Sequence, residues 1–223
     1  MRRTIAPIVG ILLTLTLAAC GSSTTTIAYS LGFNLPDAAS QQDLALASLR
    51  VIERRLDSMG EVLIDKEVRS ADGITSLVIT IADPVIGSLL TEQLQTPLNF
   101  QIMEEAPEDQ ADLVITGQGG FKSTGVDSTS LYAALAQEDS EGKGVITLQF
   151  SPDGREKLGQ VFRRNKGKHI GMFVRGKLTS KLLVETDTLK DDIIIRDLPS
   201  AEIARIFADD LNVGLHVTFT PAS

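Results

Sequence analysis

SLRVIERRLDSMG, residues 48–60, places Leu49, Ile52, Leu56 and Met59 at intervals of +3, +4 and +3. That spacing lines one face of an α-helix. It predicts a helix over 39–59, with Ser40 capping its start and Gly60 closing it. Burying the four side chains contributes on the order of 6–12 kcal/mol before chain entropy is subtracted. The flanks make this helix a connector between strands. Residues 26–31 are a β-branched strand candidate, ending in the loop Asn34-Leu35-Pro36-Asp37. Residues 62–69 and 76–82 are two strands joined by Ala71-Asp72-Gly73. Asp83-Pro84 opens a second helix, cap followed by proline. Ile86, Leu90 and Leu94 stripe that helix, Pro97 stops it, and residues 98–103 are expected as a last strand. The order βαββαβ is the ferredoxin-like pattern. It predicts an α+β first domain over 26–105.

Residues 104–110 are acidic with a proline and form the expected boundary. A second α+β order follows over 106–223. Residues 145–150 alternate as a strand, and Ser151-Pro152-Asp153 opens a helix that turns Leu158, Val161 and Phe162 inward and closes at Gly167. Residues 169–174 and 178–185 pair around Arg175-Gly176-Lys177. After a strand at 192–196, Ser200 caps a helix carrying Ile203, Ile206, Phe207 and Leu211, and 215–220 ends as a strand.

The N-terminal stretch LTLAACGSS, residues 15–23, holds the chain's single cysteine, so no bridge can form within one chain. A basic start at Arg2-Arg3 and an apolar run of about a dozen residues describe a secretory signal, since a bilayer span needs about 20. Leu17-Ala18-Ala19-Cys20 resembles the bacterial lipoprotein signal. The expectation is a signal peptide over 1–19, lipid on the Cys20 thiol, and a flexible tether over 20–25. Two or more acyl chains anchor stably where one is marginal. The body is then expected to be extracytoplasmic, in the periplasm or at the cell surface, and free of disulfides. A formal charge of −8 argues against nucleic-acid binding, which depends on neutralising phosphates. With aromatics at 4% and no tryptophan, the core must be aliphatic.

Candidate chemistry is sparse. His169 and His216 fall at or within expected strands and far apart, without the cluster that a metal needs. No serine lies in a nucleophile elbow. Gly117-Gln118-Gly119-Gly120 lacks the lysine and helix of a phosphate cradle and is expected as a flexible crossing between domains. Arg163-Arg164-Asn165-Lys166-Gly167-Lys168 is the densest basic run; at a helix C-terminus it complements the macrodipole, and its alternative use is contact with anionic lipid or an acidic partner. Asp191-Asp192 and Asp209-Asp210 are expected to be solvated. No catalytic, cofactor or metal residue, and no small-molecule substrate, is expected.

In order and spacing, the residues resemble one family. SLRVIERRLDSMG, the strand pair after it and LNFQIM (98–103) are similar to the start of the first periplasmic domain of the SecD and SecDF translocation proteins. STGVD (123–127), residues 145–184 and DDIIIRDLPSAEIARIFADDLNVG (191–214) resemble that domain's head, an α+β sheet with helices on one face. The hairpin departs from the family phrase Leu-Asp-Gly: here it reads Val174-Arg175-Gly176, and the proline usual after it is absent. No apolar run after residue 20 is long enough to span, so the carboxylate-bearing membrane helices of the family are not matched. The resemblance implies a non-enzymatic, polypeptide-binding or accessory module in protein export on a lipid tether, with unfolded exported polypeptide or the Sec translocase as partner. The alternative is a structural or interaction lipoprotein of the envelope that keeps the fold without an export role.

Overall fold

A computed structural model describes residues 24–71, 73–187 and 192–222, so the signal, Cys20 and the start of the tether lie outside the described residues. Strand β1 (Thr25–Phe33) leads into helix α1 (Ala38–Ser58), followed by the antiparallel pair β2 (Asp65–Ala71) and β3 (Ile74–Ile81) and by helix α2 (Pro84–Gln95). Asp37, not Ser40, caps α1: its carboxylate accepts from the Ser40 amide at 2.8 Å and the Ala39 amide at 3.4 Å. An aspartate two or three residues ahead of orphan amides serves them directly. Of the expected stripe, Ile52 and Leu56 are fully buried, and Leu49 and Met59 pack partly against the same core. Asp83 caps α2 through the Val85 amide, 2.7 Å away, as expected.

The first sheet has the order β12-β1-β3-β2, where β12 is Val217–Pro221 at the far end of the chain. This is the strand arrangement of a ferredoxin-like sheet, but its fourth place is filled from the C-terminus, with Leu31 opposite Phe219. The segment expected there, 98–103, instead starts β4 (Phe100–Ala106), the central strand of another sheet. Burial explains the exchange. β4 buries Phe100 and Ile102 on one face and Met103 on the other, which suits a strand flanked on both sides. β12 buries Phe219 alone and suits an edge. A boundary at 105 and 106 therefore separates β12 from the sheet it completes.

Between these strands lie two more sheets. The five-stranded one has the order β10-β9-β4-β6-β5, built from β5 (Leu113–Ile115), β6 (Gly119–Asp127), β9 (His169–Val174) and β10 (Lys177–Leu183). The three-stranded one has the order β11-β8-β7, built from β7 (Leu131–Glu138), β8 (Gly144–Phe150) and β11 (Ile193–Leu198). Helices α3 (Pro152–Asn165) and α4 (Ala201–His216) complete the body, capped by Ser151 and Ser200 as expected. Leu158 and Val161 of α3 and Ala204, Ala208 and Leu211 of α4 share one core with β4, β8 and β9. Gly117–Gly120 is no interdomain crossing: it forms the turn and first residues of the β5–β6 hairpin. His216 ends α4 rather than sitting in a strand.

Candidate functional site

Helix α4 belongs to the second body by its core residues, yet one face of it lies against α1 of the first. Arg50 forks Asp209: Nε donates to Oδ2 and Nη2 to Oδ1, both at 2.8 Å. Arg54 donates to Asp209 and Asp210 at 3.4 Å each. Asp209 is 6% exposed and therefore not solvated, which corrects the expectation for that residue; Asp210 is half-exposed. The paired carboxylate pushes the Arg50 guanidinium up from its ordinary value. A two-pronged fork of this kind fixes angle as well as distance, so it sets how the two bodies meet.

Next to this seam, a groove of about 360 Å³ runs between α1 and β7. Its apolar lining includes Leu35, Leu44 and Ala47 on one wall and Tyr132 and Leu135 on the other. Tyr132 is 55% exposed and Leu135, three positions further along β7, is 42% exposed. β7 is an edge strand. Part of that edge is held by side chains of α4. The Ala134 amide donates to Asn212 Oδ1 at 2.8 Å, and Asn212 Nδ2 donates back to the Ala134 carbonyl at 2.7 Å, as a neighbouring strand would. His216 Nε2 reaches the Tyr132 carbonyl at 2.8 Å. Helix α4 continues along the strand, its start at Ser200 and Ala204 closing on Gly144, the β8 residue opposite Glu138.

His216 also has Nδ1 at 2.7 Å from Asn34 Oδ1, an amide oriented by its Nδ2 bond to the Leu215 carbonyl at 3.0 Å. Both ring nitrogens thus face acceptors, an arrangement that the imidazolium serves best. Burial works against the charge and is the larger influence, moving the His216 pKa down from its ordinary value despite the Tyr132 carbonyl.

The remaining expected residues are dispersed. His169 sits 3.7 Å from Glu105, whose carboxyl is held low by the Lys181 ammonium at 2.5 Å. The basic run is partly engaged: Arg164 and Asn165 both donate to Glu104 Oε2, at 2.6 and 2.7 Å, and Lys166 lies 3.2 Å from Asp187. Asp192 is mostly covered and accepts from the Phe150 amide at 3.3 Å; Asp191 lies outside the described residues. Among the described residues no group of three or more His, Cys, Asp or Glu side chains converges as metal ligands would. No described helix is long and apolar enough to cross a membrane. Tyr132, Leu135, Asn212 and Asn34 were not legible as site residues. LYAALAQE is apolar through its first six residues and carries no strand alternation to signal it.

Fold and groove together define an α+β chain: a ferredoxin-like sheet closed by its own C-terminus, carrying a second α+β body between its third and fourth strands. No family model matches the chain. It is similar to the protein translocase subunit SecD of Acidaminococcus fermentans, 27% identical over 145 residues, which is 64% of this chain and 30% of that protein. It is also similar to SecD of Sebaldella termitidis, 20% identical over 137 residues, 61% of this chain and 30% of that one. The chain therefore matches less than a third of the length of these relatives. Among solved structures, it aligns with SecDF, described as a membrane component that enhances protein export, at 17% identity and a TM-score of 0.47, covering 89% of this chain and 98% of that one. SecDF of Thermus thermophilus aligns at 16% identity and a TM-score of 0.48, covering 88% and 30%.

Proposed function

We propose that the chain is a non-enzymatic, polypeptide-binding accessory module of protein export, held extracytoplasmically at a bacterial membrane by lipid on Cys20. The similarity to SecD supports the export setting. The observation that carries the binding role is the groove beside β7, where exposed Tyr132 and Leu135 of this edge strand face Leu35, Leu44 and Ala47. An extended segment added to a strand edge bonds through its main chain, which every sequence shares, while apolar walls grade affinity by side chain. That is the recognition an exported, unfolded polypeptide needs. The acidic charge of the chain favours basic, apolar segments, with binding that weakens as salt screens it. The Sec translocase is the assembly in which such a module would act.

The division that accompanies this reading is discontinuous: 24–97 with 217–222 as the base, and 98–216 as the inserted body. The test is a titration of the full chain, in nonionic detergent, with unfolded peptides and their N-methylated counterparts. Weak, saturable binding that moves Tyr132, Leu135 and Ala136 resonances, and drops several-fold on N-methylation, is the expected result. Equal binding of methylated peptides removes the edge from the reading. Absence of shifts at near-millimolar peptide removes the polypeptide role. The anchor is tested separately: Cys20→Ser protein should leave the membrane fraction, and if it stays there after cleavage the lipid assignment is wrong.

A further inference from the structure

Beyond the β7 groove, a second cavity of about 490 Å³ opens between the C-terminal end of α1, the 95–97 link, the end of α4 and β12. Two arginines line it, Arg55 from α1 and Arg175 from the tip of the β9–β10 hairpin. The rest of the wall mixes apolar groups (Leu94, Pro97, Leu215) with threonine hydroxyls. Among the described residues no carboxylate lines the cavity, in a chain of formal charge −8.

Three features of these arginines have no structural return. Nη1 of Arg55 is buried and makes no hydrogen bond with any described residue. A buried unpaired donor is costly, and more so on a charged group. Burial, reinforced by the Arg175 charge and only partly offset by Asp210, pushes the Arg55 guanidinium down to about 10, so two cations oppose each other while Arg55 remains ionised at neutral pH. Finally, Arg175 has a φ of +52°, followed by Gly176 at +74°. Two successive positive φ values make the tight hairpin turn whose first place favours Asn, Asp or Gly. An arginine there is strained, and strain kept at a cavity wall is an argument for use.

The geometry points to a carboxylate-binding site, in which Arg55 and Arg175 clamp a carboxylate carried on an apolar stem. The flat guanidinium fork matches a flat carboxylate through two parallel bonds. The apolar wall takes the stem, and the chain's net negative charge disfavours a dianion over a monoanion at the same place. This site is separate from the β7 groove and does not depend on the polypeptide reading.

The experiment follows the Arg Nε–Hε signals of the full chain in nonionic detergent during titration with hexanoate, hexanamide and inorganic phosphate. Hexanoate should shift Arg55 and Arg175 saturably, and hexanamide, the neutral analogue, should not. Arg175→Asn, which installs a residue suited to the turn, should raise Tm while weakening hexanoate at least tenfold. Arg55→Lys, which keeps the charge but loses the fork, should also weaken it. The proposal is overturned if hexanamide shifts both signals equally, if Arg175→Asn binds hexanoate as tightly as the parent, or if no saturable shift occurs. Tighter binding of phosphate than of hexanoate overturns the carboxylate assignment.

Discussion

Helix α1 carries arginines into two settings, and they are treated in opposite ways. Arg50 and Arg54 reach α4 and meet Asp209 and Asp210 in a seam where each charge has a partner. Arg55, one residue on from Arg54, turns to the second cavity and meets another arginine. At a helical 100° per residue, adjacent side chains leave the helix in different directions. The seam is an arrangement for holding two bodies together. The cavity bears the mark of a place where something else supplies the missing charge. Local sequence does not separate the two, since Arg54 and Arg55 are neighbours of one type; only what lies opposite distinguishes them.

The sharpest way to break this comparison is to remove the seam's main cation. Arg50→Ala leaves Asp209 buried with only the longer Arg54 contacts. Losing one partner of a buried pair costs 3–5 kcal/mol, and the partial exposure of Arg50 reduces that to about 1–3 kcal/mol. Chemical denaturation should read a loss in that range, with α1 and α4 losing protection together in hydrogen exchange. A loss below about 0.5 kcal/mol would mean that apolar packing alone seats α4 on α1.

Arg55 should behave differently. Its guanidinium makes no hydrogen bond to a described residue and faces a like charge. Arg55→Leu is therefore expected to change stability by no more than about 1 kcal/mol, because removing an unpaired buried donor offsets the lost packing of its stem. The same denaturation curves check it. A cost equal to that of Arg50→Ala would place both arginines in one structural role and end the distinction.

How the two settings differ bears on what could be read beforehand. Outside 111–143 the elements are legible, because caps at Asp83, Ser151 and Ser200 and the stripes of α1 and α2 are local patterns. The closing of the first sheet was not. Strands of similar length compete for an edge, and the choice between 98–103 and Val217–Pro221 turns on how many faces each must bury, which is set by the whole fold. Asp209 was read as solvated because aspartates in a helix usually are. Its partner Arg50 is 159 residues away, and nothing in the local pattern of either residue announces the other. The β7 groove was missed for a related reason: residues 111–143 are rich in glycine, serine and short apolar pieces, and their strands become visible only when paired.

The smallest expected effect, and the finest test of the seam, is a slope with pH at His216. This ring is linked to both bodies, to Asn34 after β1 and to Tyr132 on β7. Its folded pKa lies below the ordinary value of 6.5, with burial the larger cause. Between the folded and unfolded pKa values the unfolded chain binds more protons, so stability rises with pH there. The contribution is therefore complete above about 6.5, declines as pH falls through the folded value, and is flat below it. His216→Gln should remove that segment of the pH profile while keeping a donor for the Tyr132 carbonyl. Asn34→Asp should reverse its sign. A carboxylate 2.7 Å from Nδ1 favours the imidazolium and lifts the folded pKa above the unfolded one. Stability gained from the new pair would then be fully present below about 6.5 and lost as pH rises through the raised folded value. Denaturation midpoints of the three proteins from pH 5 to 8 decide the matter. Parallel profiles for parent and Asn34→Asp would show that His216 does not sense Asn34, and that the joint between β1 and α4 is held by Asn34 and the Leu215 carbonyl without it.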